Sequence, residues 1–199
     1  MSEGGAGDVS AAEAALGVVF NDRDLLREAL THSSSKPDEG RSNERLEFLG
    51  DAVLGFLVAE KLFKERSTYD EGRLSKARAR VVNKASLAGA ARNLGLERLL
   101  TVGRMFSTPD LLSDSVLSDA FEAVVAAVYL DAGLDAARAF AAPKLEAALQ
   151  AAAREEDDRD WKSMFSALAQ ARGKPTPTYV VVSTARADDE KTYEVVAAF

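Results

Sequence analysis

From Asn43 to Phe63 the chain reads NERLEFLGDAVLGFLVAEKLF. Apolar residues recur there every three or four positions, the period of an α-helix with a broad buried face. Ser42 or Asn43 is placed to cap this helix, which should run to about Arg66. Asp22–His32 has the same spacing, and the polar stretch Ser33–Ser42, with Pro37 and Gly40, predicts a loop. In STYDEGRLSKARARVV, Leu74, Ala77, Val81 and Val82 form an apolar stripe on a segment made basic by Arg73, Lys76, Arg78 and Arg80. Asn83–Leu94 predicts another helix, stopped near Gly95. Thr101–Ser115, with Gly103 and Pro109, is loop-like. Val116–Leu130 is apolar almost throughout and ends near Gly133, and an alanine-rich helix is expected from Ala136 to about Arg154, with a kink or restart at Pro143.

The pattern then changes. REEDDRD (Arg154–Asp160) reads as a solvated linker. After it, WKSMFSALAQARGK predicts a short helix and PTPTYVVVSTARADDEKTYEVVAAF two strands joined by a polar turn. The expected division is a loose N-terminus over residues 1–12, an all-α domain over 13–152, a linker over 153–160 and an α+β fragment over 161–199.

Composition narrows the chemistry. Of 199 residues, 47% are apolar and 29% charged, as in an ordinary globular protein. There is no cysteine, which excludes disulfides and thiolate metal sites. The N-terminus lacks the basic start and apolar run of a secretory signal, and no apolar run reaches the roughly 18 residues of a membrane span. A cytoplasmic protein without a membrane partner is expected. The formal net charge of −7 argues against a polyanionic partner unless something neutralises part of the acidic set.

Part of that set is unusually placed. Glu44, Glu47 and Asp51 are spaced to share one helix face, yet they sit in or beside an apolar run. Asp119 and Glu122 repeat the arrangement among Val116, Leu117, Phe121, Val124, Val125 and Val128. Carboxylates in such surroundings lose hydration and repel one another. Divalent cations relieve both effects, because hard cations take oxygen ligands. Glu44 could instead be a first-turn acid favoured by the helix dipole, and Glu47 or Asp51 alone could pair with an arginine such as Arg45, Arg78 or Arg80. A di-iron helix bundle would need Glu-x-x-His motifs, and the single histidine, His32, follows no Glu at that spacing. His32 reads as a helix-end residue rather than a ligand or base.

NERLEFLGDAVL resembles, nearly letter for letter, the signature of the bacterial ribonuclease III family. LTHSS, DEGRLSKARARVV and DSVLSDAFEAVVAAVYLDAG resemble its other segments in the same order, so the resemblance covers about Leu16 to Gln150. It implies an all-α endonuclease domain that cuts double-stranded RNA, leaving 5′-phosphate and 3′-hydroxyl ends, with roles in rRNA and mRNA processing. It further implies that Glu47, Asp51, Asp119 and Glu122 hold Mg²⁺, with Mn²⁺ as a substitute. Asp51 and Glu122 match the pair most directly required for hydrolysis. Glu44 and Glu71 match residues of substrate engagement. Phe48 matches the aromatic knob that enters a socket on the other subunit of a homodimer.

The second part resembles the start of a double-stranded-RNA-binding domain, with LAQARGKPTPTYVVV carrying the match. It departs in several ways. The segment stops at Phe199, before the third strand and final helix of that module. The strand-joining turn has Arg186, Ala187, Asp188 and Asp189, where the family often has Gly-Pro-x-His. The Gln-Glu pair expected on the first helix is Ser166 and Ala167. The fragment is therefore expected to add little to duplex binding. A separate departure lies in the nuclease domain, where Leu112 and Ser113 stand at positions that carry arginines in many relatives. A protein of another class, a catalytically idle double-stranded-RNA-binding protein, is the alternative reading, and the intact carboxylate set argues against it.

Overall fold

A computed structural model describes residues 9–35, 41–106, 112–187 and 190–198. Two compact units divide the chain, residues 1–153 and 154–199. In chain order the elements are α1 (Val9–Leu16), α2 (Arg23–Ala29), α3 (Glu44–Glu65), α4 (Glu71–Val81), α5 (Lys84–Asn93), α6 (Asp114–Ala171), β1 (Thr178–Ala187) and β2 (Glu190–Ala198). Short 3₁₀ turns occupy Ser33–Ser35, Leu96–Arg98 and Arg104–Phe106. The chain is thus an all-α domain followed by a small α+β unit.

The first part of α6 forms the centre of the helical unit. Leu117, Ala120, Phe121 and every residue from Ala123 to Val128 are buried there. Its uninterrupted apolar run needs no exposed face, because it is buried throughout. Residue 133 takes a left-handed backbone, φ 85°, which glycine adopts without steric cost and which breaks the helical geometry of α6. On either side of this break Phe121 and Phe140 stack with centroids 6.2 Å apart. Chain reversal therefore occurs at Gly133, and Pro143 lies within the helix beyond it. Residues 154–160, the charge run REEDDRD, are helical.

Sequence-readable caps set several ends. Asp70 Oδ1 accepts from the Arg73 amide and Asn83 Oδ1 from the Ser86 amide, satisfying donors left free in the first turns of α4 and α5. Gly95, φ 69°, ends α5. At the start of α3 the outcome differs. Asn43 holds the cap position, but its side chain makes no capping bond. It is 1% exposed. Its backbone N–H donates to Thr31 O at 2.8 Å, while the Thr101 backbone N–H donates to Leu30 O at 2.8 Å and the His32 backbone N–H to Thr101 O at 3.0 Å. These bonds tie the entry to α3 to two other loops. Gly103 packs so closely on Ser34 that an added Cβ would lie 2.2 Å from the Ser34 carbonyl oxygen.

In the second unit β1 and β2 pair antiparallel, with an irregularity between Val181 and Ser183. Val180, Val181, Val182 and Val196 are exposed. The Ser166 hydroxyl lies 3.4 Å from that of Tyr179, and Gln170 Nε2 donates to Thr176 Oγ1. The turn residues Asp188 and Asp189 lie outside the described residues, as do residues 36–40 and Pro109.

Candidate metal and nuclease site

Close contact between α3 and α6 builds the site. An added Cβ on Gly50 would lie 1.9 Å from the backbone oxygen of Glu122 and 2.4 Å from its carbonyl carbon. Only a residue without a side chain lets the helices approach this far. Glu47 and Asp51 flank Gly50 on α3, and Glu122 itself lies at the contact on α6. Glu47, Asp119 and Glu122 each offer a carboxylate oxygen within 4.8 Å of the others. Asp51 is not one of this close set, but it lines the same cleft of about 470 Å³ with Phe48, Lys84, Ser115 and Ser118.

The electrostatics follow from this packing. Partial burial, and then the neighbouring charges of Asp51, Asp119 and Glu47, raise the Glu122 pKa from its usual 4.5 to about 7. Burial and the charges of Asp119 and Glu44 raise Glu47 in the same direction. Among the described residues no arginine pairs with Glu47 or Asp51, so the ion-pair explanation of their placement is not met. Ser118 is buried and its hydroxyl contacts both the Ser115 carbonyl and Asp119 Oδ1, which fixes the Asp119 side chain. The donor set consists entirely of carboxylate oxygens from rigid helices. That is the ligand chemistry of a hard divalent cation, not of a soft metal.

The other expected residues sit elsewhere. Glu44 begins α3 and accepts from the Ser42 hydroxyl at 3.0 Å, outside the close set. Glu71 begins α4, accepts from Ser75, and lines a separate groove with Phe56, Phe63 and Arg78. Phe48 is 82% exposed beside the cleft, and Phe63 is 73% exposed on the same helix. Leu112 is buried in the core, so it offers no surface to RNA, while Ser113 accepts from the Val116 amide at the start of α6. His32 Nδ1 lies 2.8 Å from the Ser34 hydroxyl and its ring meets Phe106 edge-on, a structural setting.

Two residues of the site are missing from the sequence reading. Gly50 could have been noticed as a helix-interior glycine between two acidic residues, although Gly55 looks the same in sequence and meets nothing. Lys84 is the cation of the cleft, whereas the α4 residues Arg73, Lys76, Arg78 and Arg80 do not line it. No local pattern distinguishes Lys84 from the bases around it.

An all-α domain whose buried helices bring carboxylates together at a polar cleft is the frame of an acidic, metal-using nuclease. Residues 22–149 match the family model described as Ribonuclease-III-like. Ribonuclease 3 of Methylococcus capsulatus is 45% identical over 84% of this chain and 72% of its own length. Ribonuclease 3 of Symbiobacterium thermophilum is 44% identical over 83% of this chain and 71% of its own length. Among solved structures, the nuclease domain of ribonuclease III from Campylobacter jejuni aligns with a TM-score of 0.64 at 39% identity, covering 70% of this chain and 96% of that one. The chain belongs to the ribonuclease III family, and it is an endoribonuclease of that type.

Proposed function

We propose that the chain uses Mg²⁺ to hydrolyse phosphodiester bonds of double-stranded RNA, leaving 5′-phosphate and 3′-hydroxyl ends, as a cytoplasmic homodimer that processes rRNA and mRNA precursors. The observation that carries the metal assignment is the convergence of Glu47, Asp119 and Glu122 within 4.8 Å. When bound, Mg²⁺ supplies the positive charge that offsets these carboxylates and the polarisation of water and phosphate that hydrolysis requires. In this reading Glu47, Asp119 and Glu122 hold the ion. Asp51, which lines the same cleft and whose charge acts on Glu122, completes the anionic set and helps orient the attacking water. Glu44 and Glu71 stand outside the close set, where contact with the duplex away from the scissile bond is the role left to them.

The homodimer rests on a different feature. The Campylobacter structure is described as having a region involved in dimer formation. Here Phe48, Phe56 and Phe63 expose aromatic surface along one helix. An exposed aromatic of this kind is the type of anchor that dominates interface energetics once buried.

The test is Glu122→Gln, with Asp51→Asn beside it. Each swap keeps shape and removes a charge. With Mg²⁺ and a labelled duplex, each should cut at least ~100-fold more slowly, since loss of a metal ligand (Glu122) or of the carboxylate that orients the water (Asp51) is expected to remove several kcal/mol of transition-state stabilisation. Binding of the same duplex in Ca²⁺ should persist. Cleavage within tenfold of wild type would remove the metal-ligand assignment. A wild-type chain that binds duplexes but never cuts them would favour the idle binding protein.

A further inference from the structure

The carboxylate cleft contains one cation that metal binding does not explain. Lys84 is the first residue of α5, and Val82, Lys84 and Leu87 line the cleft beside Glu47, Asp119 and Glu122. The first turn of α5 therefore borders the site, adding the partial positive charge of a helix N-terminus. Lys84 Nζ donates to Ser115 Oγ at 3.0 Å. Ser115 is on the first turn of α6, one helical turn before Asp119. Among the described residues Lys84 forms no ion pair with any carboxylate. An ammonium has three donors, so two remain for another partner.

A positive charge fixed beside carboxylates that must gather divalent cations weakens metal binding by like-charge repulsion. Were it only a counter-charge for the metal-free site, it would be expected to close on a carboxylate. Its charge does lower the pKa of Glu47 and Glu122, but the ammonium itself is held at the rim by a neutral hydroxyl and closes on neither carboxylate. We propose that Lys84 is a substrate-contacting residue, oriented by Ser115, whose ammonium binds a non-bridging oxygen of the scissile phosphodiester or of the phosphate next to it. This rests on the endoribonuclease reading of the cleft. A phosphate bridging the metal side and the Lys84 side would be fixed in register against the carboxylates, and the ammonium would offset charge that builds on phosphorus oxygens during displacement. Lysine suits this task because it contacts phosphate as a point charge without a bidentate plane.

The experiment uses the full chain with Lys84→Met, Lys84→Arg and Ser115→Ala. Four measurements are made: single-turnover cleavage of a labelled duplex at saturating Mg²⁺, duplex affinity in Ca²⁺ against salt, Mn²⁺ affinity without RNA by calorimetry, and thermal midpoint. Lys84→Met should cut at least tenfold more slowly at saturating Mg²⁺. It should bind Mn²⁺ as tightly as wild type or more tightly, keep its thermal midpoint, and show a log-affinity against log-salt slope shallower by about one phosphate contact. Lys84→Arg should retain cleavage within about threefold, and Ser115→Ala should lose a few-fold.

A structural counter-charge predicts the reverse pattern: a shifted thermal midpoint and full cleavage once metal saturates. Cleavage by Lys84→Met within threefold of wild type at saturating Mg²⁺ overturns the proposal, as does an unchanged salt slope. Should Lys84→Met not fold, Lys84→Arg and Ser115→Ala decide. An inactive folded Lys84→Arg, or a Ser115→Ala indistinguishable from wild type, overturns it. A wild-type chain that cuts no duplex overturns both this proposal and the reading on which it rests, whereas an active wild type with an equally active Lys84→Met overturns this one alone.

Discussion

Replacing Gly50 by alanine adds one methyl group at the crossing of α3 and α6. Its Cβ would lie 1.9 Å from the Glu122 backbone oxygen, where ordinary contact begins near 3.4 Å, so the helices must part there by about 1.5 Å. The obstacle is backbone on a central helix and cannot rotate aside. Overpacking of this kind costs about 1–3 kcal/mol, and a clash this deep belongs at the upper end. For a chain of 199 residues a loss of ~3 kcal/mol lowers the melting temperature by about 6–12 °C. Activity should fall further than stability. The shift separates Glu47 and Asp51 on α3 from Asp119 and Glu122 on α6, and misplacement by about 1 Å can cost ~100-fold in rate. The control is Gly55→Ala on the same helix, where an added Cβ meets nothing within 4 Å. That change should be neutral or stabilising by about 0.5–1 kcal/mol, the ordinary gain of alanine over glycine inside a helix. Melting by circular dichroism and duplex cleavage at saturating Mg²⁺ are measured on both. A Gly50→Ala protein with wild-type melting and cleavage within threefold would refute the reasoning, and so would equal damage from Gly55→Ala.

Phe48→Ala should weaken self-association by ~2 kcal/mol, the usual scale of a buried aromatic anchor, which is about 30-fold in dissociation constant. Sedimentation shows this directly, and a wild-type monomer at micromolar concentration would remove the dimer. The raised Glu122 pKa gives two pH effects. Its proton is held more tightly in the folded chain than at the unfolded value of 4.5, so the stability it adds is present below 4.5 and is lost as pH rises through about 7. Metal-free protein should therefore melt lower at about pH 8 than at about pH 5.5 through this group, and Mg²⁺ should narrow the gap. Calorimetric Mg²⁺ affinity should also rise with pH up to and through about 7, because the ligand must lose its proton to bind. An affinity independent of pH across that range would count against Glu122 as a ligand.

Much of this molecule follows from local rules that a sequence exposes. The helix period over Glu44–Glu65, the caps at Asp70 and Asn83, and the left-handed stops at Gly95 and Gly133 depend on near neighbours in the chain. The spacing of Glu47 and Asp51, and of Asp119 and Glu122, marks two acidic faces because a helix converts intervals of three and four into proximity. What lies between helices is not written in any interval. Gly50 and Gly55 have the same local credentials, and only the position of α6 makes one of them indispensable to the approach. Tertiary packing also leaves Asp51 in the cleft but outside the three carboxylates that converge, places Glu71 on an aromatic groove instead of the cleft, and brings Lys84 from α5 to its rim. Packing likewise puts Leu112 in the core and leaves the Asn43 side chain without its expected cap bond. Backbone hydrogen bonds and side-chain periodicity act over one or two turns, so sequence order carries them. The distances that make a site are set by how closely whole helices can pack, which depends on residues far apart in the chain.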